Sequence, residues 1–184
     1  MKKAHPTLIL FLFFLTLLGP FAFAVVLVQK GYAHQFRLKN HGDLITPVRN
    51  LAPVKEELAK TLAGKWWLVM VGPEQCYQGC QTTLYNMRQI RTALGKDAPR
   101  LERLFIHHPH CPISICEQQF MEQYPEMRTI KLSLAEFERL FMNINGELYI
   151  IDPKGNLMMR YEPNSPPKDV LSDLKRLLKV SKIG

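Results

Sequence analysis

Trp66-Trp67-Leu68-Val69-Met70-Val71-Gly72-Pro73-Glu74-Gln75-Cys76-Tyr77-Gln78-Gly79-Cys80 is the stretch from which the fold can be read. An unbroken apolar run from Trp66 to Val71, ended by Gly72-Pro73, is the pattern of a buried strand followed by a loop. Downstream, Leu84, Met87, Ile90 and Leu94 recur at helical spacing and Gly95 stands at the C-terminal cap position, so Cys76 to Leu94 reads as a helix. The two cysteines therefore lie where a core strand hands over to a helix. A thiol in a helix's first turn faces unsatisfied backbone N–H groups and the positive end of the dipole, and both favour thiolate. The i,i+4 spacing puts both sulfurs on one face, and Gly79 lets the turn distort enough for a disulfide, whose Cα atoms must lie within about 7 Å. Such a pair can exchange electrons as dithiol and disulfide, or clamp a soft ion such as Cu(I). The plainer alternative is a structural staple. A staple closing so short a loop removes less unfolded-chain entropy than one closing a long loop, which weighs toward chemistry.

The rest of the chain repeats the alternation of strand and helix. Val54 to Ala63 is a weak helical stretch and Leu101 to Ile106 a second strand. Cys116 to Tyr124 and Leu134 to Met142 read as helices, the latter with Ser133 as N-cap and Glu136 completing a capping box. Leu148 to Ile151 is a buried strand, Asp152-Pro153-Lys154-Gly155-Asn156 a turn and Leu157 to Tyr161 the returning strand. A last helix starts near Pro167, with Val170, Leu171, Leu174, Leu177 and Leu178 on one face. The order is that of an α/β domain with a thioredoxin-like layout.

Leu8 to Val28 contains no charged residue and matches the roughly 20 apolar residues of a helical membrane span. A plain cytosolic protein is excluded. Ala22-Phe23-Ala24 has the form of a signal-peptidase site, with Gly19-Pro20 placed to break the helix before it, but the apolar run continues to Val28. A retained anchor is the favoured reading, and either reading exports the domain. The expected organisation is a tail over 1–7, one transmembrane helix over 8–28, an extended linker over 29–53 and the thioredoxin-like domain over 54–184. The expected location is the inner membrane, single-pass, with the domain facing the periplasm.

The net charge of +8 is diffuse, with Arg88, Arg91, Lys96, Arg100 and Arg103 interleaved with Asp97 and Glu102. No basic run or basic-aromatic stripe points to nucleic acid, and a solvated surface near anionic headgroups fits better. There is no Gly-rich phosphate loop, Gly-x-Ser-x-Gly or paired-carboxylate arrangement. A second candidate cluster is His107-His108-Pro109-His110-Cys111, with Cys116 beyond it, on the loop after the second strand. Imidazole and thiolate both bind transition metals, and in an open α/β sheet this loop shares an end with the first cysteine pair. The spacing matches no zinc pattern, and a polar loop closed by a Cys111–Cys116 disulfide is the competing account. Met158 and Met159 alternate on a strand and form no thioether cluster.

Trp66 to Val71, the loop with Cys76 and Cys80, and Leu148-Tyr149-Ile150-Ile151-Asp152-Pro153-Lys154-Gly155-Asn156-Leu157 together resemble the SCO/SenC branch of thioredoxin-fold proteins. These are membrane-anchored factors that assemble the copper centre of cytochrome c oxidase. Within that branch the chain is most similar to short bacterial inner-membrane proteins, through Asn40-His41-Gly42-Asp43-Leu44, Leu84-Tyr85-Asn86-Met87-Arg88-Gln89 and Asp173-Leu174-Lys175-Arg176-Leu177-Leu178. The resemblance spans essentially the whole chain. It implies that Cys76 and Cys80 bind copper or act as a redox pair, and that the partner is an oxidase subunit or another assembly factor at the membrane. Two departures stand out. The third copper ligand of the family is a histidine before the Leu148 strand, whereas Ile144 stands there between Asn143 and Asn145, and no histidine follows His110. The proline of the family's cysteine motif is also missing, as is the cis-proline that thioredoxins place before this strand. The departures shift weight toward thiol exchange or a non-catalytic scaffold for assembly partners, while the missing cis-proline counts against a thiol-disulfide oxidoreductase.

Overall fold

A computed structural model describes residues 6–29, 40–51, 56–110, 123–141 and 147–183. It divides into two compact units, Met1–Asn40 and His41–Gly184. The first contains helix α1, Pro6–Gln29, which runs through Pro20 without the break expected at Gly19-Pro20. Its described side chains are mostly exposed and apolar on every side, Leu12, Phe13, Leu17 and Phe21 among them. Among the described residues no helix is long and apolar enough to cross a membrane.

The second unit is a mixed six-stranded sheet in the order β1-β6-β5-β2-β3-β4. The strands are β1 (Asp43–Asn50), β2 (Trp66–Val71), β3 (Leu101–His107), β4 (Arg128–Lys131), β5 (Leu148–Ile151) and β6 (Asn156–Tyr161). The helices are α2 (Glu56–Leu62), α3 (Gln78–Ala93), α4 (Leu134–Leu140) and α5 (Pro167–Val180), with a 3-10 turn at Gly95–Arg100. β2 is parallel to β3 and antiparallel to β5. Every residue of β2 is buried because it is covered on both faces, which is why its sequence is apolar throughout and not alternating. Trp66, Leu68 and Met70 pack with α3 and α5, whereas Trp67, Val69 and Val71 pack with Leu58 and Leu62 of α2 and Phe137 and Leu140 of α4. The Trp67 indole N–H donates to Leu62 O at 2.9 Å, so a buried polar atom is satisfied at no cost to packing.

The Ser133–Glu136 capping box forms as expected, with Ser133 N donating to Glu136 Oε2 at 2.8 Å. Gly95 has φ +58, the left-handed geometry that ends a helix, and Gly155 has φ +82 in the hairpin turn. Several expectations are corrected. The linker expected over 29–53 includes β1, which pairs antiparallel with β6 through Asp43↔Arg160 and Leu44↔Met159, then resumes at Arg49↔Leu157 after a register shift. β1 is an exposed edge strand that carries Pro47, so it lacks the alternation that marks a strand in sequence. β4 was not anticipated either, because Arg128-Thr129-Ile130-Lys131 is short, polar and only partly buried. The helix expected from Cys116 to Tyr124 lies outside the described residues except for its last two positions, as does Met142.

Candidate redox and copper site

The site grows out of the carboxyl end of β2. Gly72 N donates to Ile106 O at 2.8 Å, which carries the parallel pairing of β2 and β3 into the loop. A Cβ at Gly72 would collide with the Phe105 ring, so only glycine allows the loop to leave the sheet here. The chain then passes Glu74 and Gln75, both exposed, to Cys76. Helix α3 begins at Gln78, two residues later than the spacing suggests, so Cys76 precedes the helix and Cys80 occupies its first turn. The two are joined by a disulfide with Cα atoms 5.1 Å apart. Cys76 is half-buried and Cys80 is buried, 7% exposed, in the cluster shared by α3 and α5.

The start of α3 is left open for chemistry. Its N-cap is Tyr77, which makes no side-chain cap hydrogen bond, and the first turn contains no acidic residue. The Tyr77 hydroxyl is turned onto Gln75 Oε1. First-turn amides and the helix dipole are thus unopposed beside the half-buried Cys76 sulfur, an environment that stabilises its thiolate once the disulfide is reduced. On the other side of the turn, Met70, Pro73, Gly79, Cys80, Thr83, Pro163 and Asn164 line an open cavity of about 180 Å³. Asn164 holds the left-handed conformation, φ +66, at the β6–α5 corner.

The histidine tract ends beside this loop. With Val71 in register with Ile106, His107 and His108 follow alongside Gly72 and Pro73. His107 is buried and sets its ring edge against Phe105, with centroids 4.9 Å apart. His108 is buried against Phe137 on the other face of the sheet. Burial lowers the His108 pKa, the charge of His110 lowers it further, and Glu74, close to the cysteine turn, partly offsets both. His110 N donates to His108 Nδ1 at 3.2 Å, so the neutral His108 carries its proton on Nε2. With the Nδ1 lone pair taken by that amide and a proton on Nε2, neutral His108 has no free lone pair for a metal. His110 is exposed. Cys111 and Cys116 lie outside the described residues. Among the described residues, no three His, Cys, Asp or Glu side chains converge as a metal site.

Sequence reasoning assigned no role to Asp173, although the structure builds a polar cluster around it. Asp173 is only 2% exposed, on the apolar face of α5. Its Oδ2 accepts from His41 N at 2.7 Å, Gly42 N at 3.1 Å and the Tyr161 hydroxyl at 2.9 Å. Its Oδ1 lies 3.2 Å from His41 Nδ1 and 3.5 Å from an Arg176 nitrogen. Burial alone raises this carboxyl, but the donors from Gly42, His41 and Tyr161 outweigh it and hold the pKa below the ordinary carboxylate value. Burial beside Asp173 pushes the Tyr161 phenol upward. The available signal was an aspartate at an i+3 position between Val170 and Leu174, on a stripe otherwise apolar.

This arrangement, a helix that starts on a cysteine turn after the central strand of a mixed sheet, agrees with sequence similarity. Residues 66–181 match the family described as the transmembrane-like, thioredoxin-like, C-terminal domain. The chain belongs to that family. Among solved structures, yeast Sco1 with copper bound is similar at 18% identity and a TM-score of 0.55, covering 67% of this chain and 84% of that one. Arabidopsis thaliana ScoI with copper bound is similar at 14% identity and a TM-score of 0.55, covering 67% and 89%. BsSco, a member of the Sco family of cytochrome c oxidase assembly proteins in which a disulfide switch was identified, is similar at 19% identity and a TM-score of 0.52, covering 66% and 85%. At these identities the likeness establishes a shared thioredoxin-like fold. No curated protein matches the chain.

Proposed function

We propose that this protein is a Sco-like assembly factor for the copper centre of cytochrome c oxidase, tethered by α1 to the inner membrane with its thioredoxin-like domain in the periplasm. The observation that carries the reading is the Cys76–Cys80 disulfide at the uncapped start of α3, with one sulfur half-buried and the other buried. The solved structures of similar fold include Sco proteins with copper bound, which fits the same pair of soft donors here. Copper is cargo in this reading. Reduced Cys76 and Cys80 present two thiolates on one turn, a donor set that selects Cu(I) over harder ions.

The same pair supports thiol reduction of a copper-receiving partner. The Cys76 thiolate attacks a disulfide of the partner, forming a mixed disulfide and releasing one partner thiolate. Cys80 then loses its proton and attacks the Cys76 sulfur, which closes the Cys76–Cys80 bond and releases the second partner thiol. Two electrons pass to the partner, and an external dithiol resets the pair. Burial of Cys80 suits it to the resolving step, because an incoming partner meets Cys76 first.

Anaerobic Cu(I) titration of the reduced, detergent-solubilised chain tests the copper reading. One equivalent is expected to bind in the wild type and none in Cys76→Ser with Cys80→Ser; equal binding in both refutes it. Trapping a mixed disulfide with an oxidase subunit in Cys80→Ser favours the oxidoreductase reading. Full rescue of oxidase assembly by the double variant shows a scaffold that needs neither sulfur. Carbonate extraction of membranes tests the anchor, which is lost if the mature protein is released.

A further inference from the structure

We infer that Met70 supplies a third sulfur ligand to Cu(I) held by Cys76 and Cys80, in place of the histidine that this chain lacks. The inference rests on the copper reading and adds to it the coordination number and the identity of one ligand. Met70 is the penultimate residue of β2 and points to the α3 face, with Leu68 and Trp66. It shares a cavity wall with Cys80, directly behind the cysteine turn. The two thiolates reach the metal from the turn, and Met70 reaches it from the sheet below.

The chemistry of the cavity singles Met70 out. Pro73, Gly79 and Pro163 bring no side-chain donor. Thr83 and Asn164 offer only hard oxygen or amide groups, and the Thr83 hydroxyl already donates to Gly79 O at 3.0 Å. Besides Cys80, Met70 alone among the lining residues brings a soft atom. A thioether is a favoured Cu(I) donor, is neutral, and needs no deprotonation, so it adds a bond without adding a third negative charge to the site. No imidazole lines this cavity, and His108 lies against Phe137 on the other face of the sheet. Met159 of β6 belongs to the same apolar cluster but does not line the cavity, and its Sδ lies 3.8 Å from the Tyr161 hydroxyl, whose one proton goes to Asp173. A cavity of about 180 Å³ leaves Met70, with its three rotatable bonds, room to swing its sulfur toward the turn. Simple core packing accounts for the burial of Met70, but not for its facing a cavity beside a cysteine that is itself a candidate ligand.

Cu(I) competition titration against a chromophoric chelator, combined with copper X-ray absorption, tests the inference on the reduced full chain in detergent. Met70→Leu conserves volume and removes only the donor. The wild type is expected to show three sulfur neighbours. Met70→Leu is expected to show two, with affinity lower by about tenfold or more. Met159→Leu, on the same face of the sheet, keeps wild-type affinity and three sulfurs, and the thermal midpoint of each variant verifies folding. If Met70→Leu misfolds, the wild-type sulfur count alone decides. Two sulfurs in the wild type, or unchanged affinity in a folded Met70→Leu, overturns the role of Met70 and leaves the copper reading standing. No Cu(I) binding by the wild type overturns both.

Discussion

Cys76 and Cys80 are joined across a separation of 4 residues, whereas two of the groups that meet at Asp173, His41 and Gly42, come from 132 and 131 positions away. Both assemblies lie on the α3–α5 face of one sheet, and both satisfy reactive polar or sulfur atoms in a largely apolar setting. The difference lies in what each asks of the fold. The cysteine turn can open or change its bonding while the surrounding strands stay paired, because its bond spans one helical turn. The Asp173 cluster fastens the start of the domain at His41-Gly42 to β6 and α5 through bonds that converge on one carboxylate. Chemistry sits on the local pair and integrity on the distant one.

The sharpest way to break this comparison is to remove both sulfurs. Cys76→Ser with Cys80→Ser is expected to abolish Cu(I) binding and mixed-disulfide formation outright. The same change costs only the entropy of a very short loop, about 2 kcal/mol at most. Urea unfolding next to Cu(I) titration measures both quantities in one preparation. Loss of folding in the double variant shows the pair to be structural.

The reverse effect is expected at the cluster. Asp173→Ala leaves the amides of His41 and Gly42 and the Tyr161 hydroxyl without their acceptor, at a cost of about 3–5 kcal/mol. Thiol reactivity of Cys76 should persist in whatever fraction remains folded. The cluster also has a pH signature. Because the folded-state pKa of Asp173 is depressed, its contribution is fully present above the unfolded carboxylate value of about 3.9 and is lost as pH falls through the lower folded value. Asp173→Asn is therefore expected to flatten the acid limb of the stability profile while lowering its neutral plateau. An unchanged acid limb in chemical denaturation shows that the charge of Asp173 contributes nothing.

This contrast also explains what could be read in advance. β2 and the cysteine turn are legible because their signals are contiguous: an apolar run, a Gly-Pro stop, two cysteines and a helical period. The hairpin of β5 and β6 and the capping box at Ser133 are legible for the same reason. β1 is not, since an edge strand interrupted by Pro47 owes its conformation to β6 and not to its own pattern. An acid on an apolar stripe singles out Asp173, but its partners stay invisible, because the stripe gives no hint of donors that arrive from the far end of the domain. The expectation that the histidine tract would gather around the cysteines is met only in part. Parallel pairing brings His107 and His108 to the loop, but the pleat sends their rings to opposite faces of the sheet.

Gly42→Ala probes the same cluster with a smaller perturbation. A Cβ there would stand 2.6 Å from the Tyr161 ring and 3.0 Å from Arg160 O, so the ring must shift away from Asp173. A cost of about 1–3 kcal/mol is expected, smaller than removal of the carboxylate because two of its donors remain. Thermal unfolding checks the value, and an unchanged midpoint shows that Tyr161 can move without loss.

The smallest expected effect comes from Ser133→Ala, which touches neither assembly. Ser133 accepts from Glu136 N at 3.4 Å while Glu136 Oε2 accepts from both Ser133 N and Ser133 Oγ at 2.8 Å. Loss of the hydroxyl leaves the first turn of α4 short of one acceptor, for about 1 kcal/mol. α4 packs Phe137 and Leu140 onto the sheet face opposite the cysteines. Its loosening should therefore lower overall stability slightly and leave both copper affinity and the acid limb unaltered. Should Ser133→Ala weaken Cu(I) binding as measured by chelator competition, the two faces of the sheet are coupled, and the separation of chemistry from integrity fails at its least perturbed point.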